Sequence, residues 1–310
     1  MLETVRYTAD KQAEWDALVE RSKNGTFLLK RGYMDYHSDR FADCSLMFYR
    51  KGRLCAVLPG NVSDGTFYSH KGLTYGGLAM DENCTTVDVL RIFEEVNDYL
   101  KWQGINKVVY KPVPHIYHRL PAEEDLYALF RCGARLTARG VSSSIDLEAQ
   151  LKWRQNRRTA LNKARSEGVT VECSEELEDF WGILESNLMR THGVKPVHSV
   201  EEMRLLKSRF PENIALYVAR NRQKTIVAGI LLYVTKKVIH SQYISATEEG
   251  KDIGAIDAIM QEILQTKNIF FDFGVSTENN GKYLNESLIF QKEGFGGRAI
   301  CYDTYEYTIP

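Results

Sequence analysis

Apolar side chains fall at Val89, Ile92, Phe93, Val96 and Leu100, three or four residues apart with polar residues between them. That spacing puts all five on one face of a helix, so it predicts an amphipathic helix with one side in a core. Gly104, just beyond, suits the left-handed backbone that closes a helix. Trp15, Leu18 and Val19 mark a shorter helix earlier in the chain. The rest of this half has the shorter period of strands. SLMFYRKGRLCAVLPG predicts two strands that reverse at Lys51-Gly52, GTFYSHKGLTYGGLAM carries further strand signal, and INKVVYKPV predicts a strand after the long helix.

The second half repeats this order. ALYVARNRQKTIVAGILLYV predicts two strands about a polar turn and VIHSQYISA a third, followed by a helix on Ile256, Ile259, Met260, Ile263 and Leu264 and the strand IFFDFGV. LMFYRKGRLCAVLPG stands against LYVARNRQKTIVAGI, INKVVYK against NIFFDFG, and LFRCGARLTARGVSSSIDL against FQKEGFGGRAICYDTYEYT. Similar pieces in the same order point to an internal duplication. The expected architecture is an α/β sandwich, α+β in its mixed sheets, with one unit over 1–150 and another over 151–310. The second unit opens on a predicted helix at 151–168, closed by Gly168. Residues 151–166 hold six basic side chains and no acid.

A chain of 310 residues is long enough for two cores. Its net charge of -1 gives no global attraction for nucleic acid, so DNA is not an expected partner and any polyanion must meet a local patch. The six cysteines are scattered without a C-x-x-C, which suits reduced thiols. The N-terminal stretch carries acids and lacks the apolar core of a signal peptide. No run approaches the ~18 apolar residues of a membrane span, so a cytoplasmic protein is expected. His115-x-x-His118 sits among Pro112 and Pro114, where a metal-binding helix is disfavoured, and no metal is expected.

Asp272-Phe273-Gly274 has the letters of a kinase magnesium loop. The chain lacks the G-x-G-x-x-G loop and the H-R-D segment that such a loop works with. Phe271 and Phe273 instead alternate with Asp272 as strand residues do, and Gly274 permits a tight exit.

Three segments carry a family resemblance. WRQNRRTALNKARSEGVTVE is similar to an R-x-x-x-R-x-x-[IL]-x-K-A-x-x-x-G-[IV] pattern, KPVPHIYHRLPAEEDLYALFRCGARL with SSSIDL to the close of a first unit, and FDFGVSTENNGKYLNESLIFQKEGFGG to a D-F-G-G segment followed by F-K-x-x-[FW]-G. The chain thereby resembles tandem GNAT acyltransferases, in particular the FemABX group of peptidoglycan aminoacyltransferases and related envelope and polysaccharide proteins.

The resemblance implies transfer of an acyl or aminoacyl group to an amine, with acyl-CoA or aminoacyl-tRNA as donor and a small-molecule or peptide-containing acceptor in cell-envelope or peptidoglycan precursor synthesis. Such a reaction needs a base for the amine, a stabilised oxyanion and a proton for the leaving group, with no covalent nucleophile. The catalytic candidates are Asp272, His240 and Tyr243. Strand alternation puts His240 and Gln242 on one face and Tyr243 on the other. Substrate contacts are expected from Gln242, Ser276, Glu278, Asn285 and Lys292, from His192 and Lys195 in a cleft between the units, and from Arg154, Arg157 and Arg158. Arg154, Arg158 and Arg165 share one face of the basic helix at helical spacing, a cluster suited to a nucleotide diphosphate or RNA phosphates. The cofactor loop of a GNAT unit, similar to [QR]-x-x-G-x-[GA], corresponds to EEGKDIGAIDA, with Gly250, Lys251, Gly254 and Ala255 as its contacts. Asp252 and two glutamates put negative charge in that loop, where an anion would bind. The alternative is a catalytically inactive tandem GNAT protein that binds a nucleotide-linked or peptide ligand.

Overall fold

A computed structural model describes residues 2–310, the side chain of His192 excepted. The chain forms two compact units, and neither is one continuous stretch. The first comprises Met1–Val141, Thr277–Tyr283 and Cys301–Pro310; the second comprises Ser142–Ser276 and Leu284–Ile300.

In chain order the elements begin with β1 (Leu2–Arg6), α1 (Gln12–Arg21), the single turn α2 (Arg31–Met34), β2 (Leu46–Arg50) and β3 (Arg53–Leu58). Next come β4 (Asn61–Ser63), β5 (Thr66–Tyr68), β6 (Ala79–Met80), α3 (Thr86–Trp102), β7 (Lys107–Tyr110), α4 (Glu124–Arg131) and β8 (Arg135–Asp146). Then follow α5 (Gln155–Ser166), β9 (Thr170–Ser174), α6 (Leu177–His192), α7 (Val200–Arg209), β10 (Ile214–Arg220), β11 (Ile226–Val234) and β12 (Val238–Ala246). The chain ends with α8 (Glu248–Asp252), α9 (Ala255–Ile263), β13 (Phe270–Val275), β14 (Thr277–Glu278), β15 (Tyr283–Leu284), α10 (Glu286–Gly294) and β16 (Arg298–Thr308).

In the first unit the pattern-based reading holds for α3. Thr85 and Asp88 cap it reciprocally, the five apolar positions are all buried, and Gly104 turns left-handed with φ 74°. The β2–β3 reversal uses left-handed Lys51 (φ 52°) and Gly52 (φ 74°), a turn whose twist matches that of the strands. GTFYSHKGLTYGGLAM is the exception, since only Thr66–Tyr68 and Ala79–Met80 pair as strands. Between them the backbone turns left-handed at His70 (φ 65°) and Gly77 (φ 77°), and a Cβ on Gly77 would lie 2.9 Å from the Tyr110 hydroxyl. Tyr110 fills this part of the unit, taking the Leu78 amide proton at 2.7 Å and donating to Asp125 at 2.7 Å.

The second unit's sheet runs β8, β13, β12, β11, β10, β9. Strands β12 and β13 are parallel and pair only over Val238↔Phe270, Ile239↔Phe271 and His240↔Asp272, after which they part. One face of the sheet, with Ile230, Leu232, Ala246, Phe271 and Phe273, packs on Ala255, Ile259, Met260 and Ile263 of α9. The opposite face is covered by α6, whose Phe180 ring lies so close to Gly229 that a Cβ there would be 2.4 Å away.

A bulge in β12 corrects the alternation expected for its polar residues. Leu232 stands opposite Ser241 and Leu231 opposite Tyr243, leaving Gln242 over. The extra residue flips the phase, so Tyr243 shares the face of His240.

The final strands complete the units in an exchanged manner. β8 follows α4 of the first unit, yet from Ser142 on it pairs with β13, Ser144 opposite Asp272. β16 follows α10 of the second, yet its last residues pair with β7, Tyr305 opposite Tyr110. The predicted basic helix is also shorter than 151–168: α5 starts after Arg154, whose backbone is extended (ψ 155°), and stops before left-handed Gly168.

Candidate active site

Where β12 and β13 part, a hollow of about 750 Å³ opens within the second unit, bordered by Ile244, Ser245 and Ala246 on one strand and Phe273 on the other. Lys292 of α10 reaches it from a buried position. Its ammonium donates to the carbonyls of Gly274 (2.8 Å) and Val275 (3.0 Å) and to Ser276 Oγ (2.9 Å). Loss of hydration pushes its pKa down to about 8, against the opposing pull of Asp272. Lys292 and Ser276 are thus brought together, whereas Asn285 caps α10, accepting from the Leu288 amide at 3.1 Å.

Asp272 is fully buried at the last position where β13 pairs with β12. Its carboxylate accepts from Ser142 Oγ and from His240 Nδ1, the latter at 2.8 Å. An acceptor at Nδ1 fixes the proton there and leaves Nε2 as the basic nitrogen, which is how a carboxylate prepares a histidine for proton transfer. Left-handed Gly274 (φ 75°) follows, and a Cβ on it would lie 3.2 Å from His240 Cε1.

Tyr243 contacts His198 Nδ1 through its hydroxyl at 2.7 Å and packs edge-on against Trp181. Burial raises its pKa, with hydrogen bonds from His198 and Gln242 opposing. Ser142 and His198 were not singled out from sequence. Ser142 lies in the SSSIDL run that helped to carry the family resemblance, but no spacing ties His198 to Tyr243.

Other expected contacts lie elsewhere. Glu278 is exposed and belongs to the first unit, Lys195 is exposed in the loop after α6, and the side chain of His192 lies outside the described residues. His118 directs Nε2 at the Val113 carbonyl, 2.8 Å away.

Gly250, Lys251 and Gly254 border the hollow, while Ala255 is buried. The loop's own groups use its amides: Gly250 N–H goes to Thr247 Oγ1, Lys251 N–H to Thr247 O, Ile253 N–H to Glu249 O and Gly254 N–H to Lys251 O. The backbone that comes close to the glycines is also the protein's own, since a Cβ on Gly250 would meet Val227 O at 2.2 Å and one on Gly254 Ala160 O at 2.3 Å. In the first turn of α9, Asp257 places a buried carboxyl whose pKa burial raises to about 6, with Arg157 opposing. A helix N-terminus attracts an anion. Here the protein places a carboxyl of its own, Asp257, in that first turn.

The basic helix divides its charges, which corrects the expected common face. Arg154 is the extended N-cap residue, off the helical repeat; it pairs with Glu293 at 3.2 Å and lies over Phe290. Arg157 lies 4.3 Å from the Phe295 ring centre, with Asp257 at 3.5 Å. Arg158 and Arg165 border a separate hollow on the other side.

Residues 152–279 match the sequence model of the acetyltransferase (GNAT) domain. Among solved structures the chain is similar to FemX, with 11% identity and a TM-score of 0.72 over 99% of this chain and 97% of that one. It is also similar to the C-terminal domain of a putative lysylphosphatidylglycerol synthetase from Agrobacterium fabrum (14%, TM-score 0.61, 96% and 91% covered). A third likeness is to a tandem GNAT protein from the clavulanic acid biosynthesis pathway (10%, TM-score 0.50, 100% and 99% covered). A search of curated protein sequences gave no match. The chain has the tandem GNAT fold. Its architecture resembles that of FemX across both units.

Proposed function

We propose that the second unit is an N-acyltransferase that moves an acyl or aminoacyl group from an activated ester or thioester to an amine. The observation that carries this reading is the parting of β12 and β13 beside a buried lysine, with a carboxylate-oriented histidine at the last paired position. In the step, the amine nitrogen attacks the donor carbonyl. His240 Nε2 takes the amine proton, directly or through water, while Asp272 and Ser142 position the ring. Lys292, cationic below about pH 8 and with its three N–H donors held by Gly274, Val275 and Ser276, stabilises the oxyanion through its nearby charge. The carbonyl re-forms as the C–O or C–S bond breaks, and Tyr243 gives a proton to the leaving group.

The donor is read as an aminoacyl ester of the kind aminoacyl-tRNA provides, because Asp257 puts negative charge at the start of α9 where a coenzyme A pyrophosphate would bind, and in keeping with a fold neighbour named for a lysyl-bearing product. The acceptor is read as a small-molecule or peptide amine of envelope precursor synthesis in the cytoplasm. Calorimetric titration with acetyl-CoA, an aminoacyl-tRNA and a UDP-sugar peptide tests this. Heat and amide product with aminoacyl-tRNA are expected. Binding of the UDP-sugar peptide alone, with no donor bound, would sink the enzyme and favour the ligand-binding alternative. The self-supplied carboxyl of Asp257 is the feature that speaks for that second reading.

A further inference from the structure

Helix α5 treats its two sides differently. On one side Arg154 and Arg157 each meet a carboxylate and an aromatic ring, so their charge is spent within the protein. On the other, Lys152, Arg158 and Arg165 border a hollow of about 600 Å³ that no acid lines. Among the described residues no carboxylate pairs with these three side chains, and Arg158 donates only to the neutral amide of Gln155. Its Nε is enclosed without a hydrogen-bond partner.

An unpaired trio of cations is costly through mutual repulsion unless an anion visits it. The first turn of α5 adds to the same sign, since it holds no acid and its N-cap side chain caps nothing. Planar guanidinium groups are suited to phosphate oxygens; Arg158 stands in the first turn of α5 and Arg165 in its last, both on the hollow.

A second hollow of about 470 Å³ adjoins the first, and the two share Gln150, Trp153 and Gln261. The indole offers a flat surface, the Gln261 amide offers a donor and an acceptor side by side, and Gln150, whose Nε2 donates to the Leu147 and Leu264 carbonyls, offers its Oε1 as an acceptor. Thr266 Oγ1, at the far end of this second hollow, is enclosed and makes no hydrogen bond. A flat, hydrogen-bonding ring would fit here while its phosphates reach the cations.

We propose that these joined hollows bind a nucleoside phosphate, with the phosphates on Lys152, Arg158 and Arg165 and the base along Trp153 between the Gln150 and Gln261 amides. The site is separate from the hollow between β12 and β13, and the proposal stands whether or not acyl transfer occurs there. The nucleoside phosphate is either a free nucleotide or one residue of an RNA strand, since both present the same chemistry.

Calorimetry with the intact protein, without acceptor, tests it using UDP, ADP, inorganic pyrophosphate and a short single-stranded RNA. Saturable binding of a nucleotide or of the RNA is expected. It should weaken at least about tenfold in the Arg158→Gln/Arg165→Gln variant, as the loss of charged hydrogen bonds implies. Pyrophosphate should bind more weakly than the better nucleoside ligand. RNA binding that free nucleotides cannot match identifies the polymer as the source, and the reverse identifies the free nucleotide. A melting curve equal to that of the parent protein shows that the variant is folded. Absence of binding by both forms, binding indifferent to the double substitution, or pyrophosphate binding as tightly as either nucleoside ligand would overturn the proposal.

Discussion

Lys292 combines two requirements that pull its behaviour in opposite directions with pH. The folded protein holds its pKa near 8, against 10.5 for an ordinary lysine. The cation is therefore lost from the folded state above about pH 8 while an unfolded chain still carries it. Unfolding takes up a proton between these values, so this residue makes stability rise with pH over that window. Activity should fall over the same window, because the oxyanion loses its partner. Urea denaturation and a pH–rate profile, measured in parallel, check the opposed trends. Lys292→Gln should lower kcat by about 10²–10³ and remove the alkaline fall from the profile. Asp272→Asn should lower kcat by roughly 10²–10⁴ with little change in KM, because it disturbs the orientation of His240 and leaves the hollow itself alone; an unchanged kcat would remove the dyad from the mechanism. Asp272 was legible in the sequence because Phe271 and Phe273 flank it at strand spacing. Ser142 and His198 were not, because their partners lie 130 and 45 residues away and no local rule predicts such contacts.

Periodicity located the long helix, the central strands and their order in both halves, because burial of one face leaves a repeat in the chain. It failed where one residue breaks the repeat. The bulge at Gln242 turns Tyr243 to the other face, and the extended backbone of Arg154 removes it from the helix that its charge seemed to share. Glycines were legible as positions of close approach, but sequence does not say what approaches. At Gly254 it is the Ala160 carbonyl, in addition to a left-handed backbone of φ 73°. Gly254→Ala should therefore destabilise the protein by about 2 kcal/mol or more, lowering the melting temperature by several degrees; an unchanged melting curve would refute the contact between α5 and α9.

The duplication was readable from the order of elements, but the exchange of final strands was not, since pairing partners lie far apart in sequence. Removing residues 301–310 takes Tyr307 from the first core and the strand that faces β7. Hydrogen exchange on such a truncation should show the first unit losing protection around Tyr110 while β10–β12 keep theirs; equal loss in both would mean that the units fold as one. The same exchange bears on synthesis. Every residue of the second unit has been added by Ile300, whereas the first, most of which precedes it, lacks its closing strand until residues 301–310 are made. A growing chain ordinarily orders its earliest domain first. Here the earlier half stays open, with its core unsealed, until residues 301–310 are made, and chaperone demand should fall on the part that was made first.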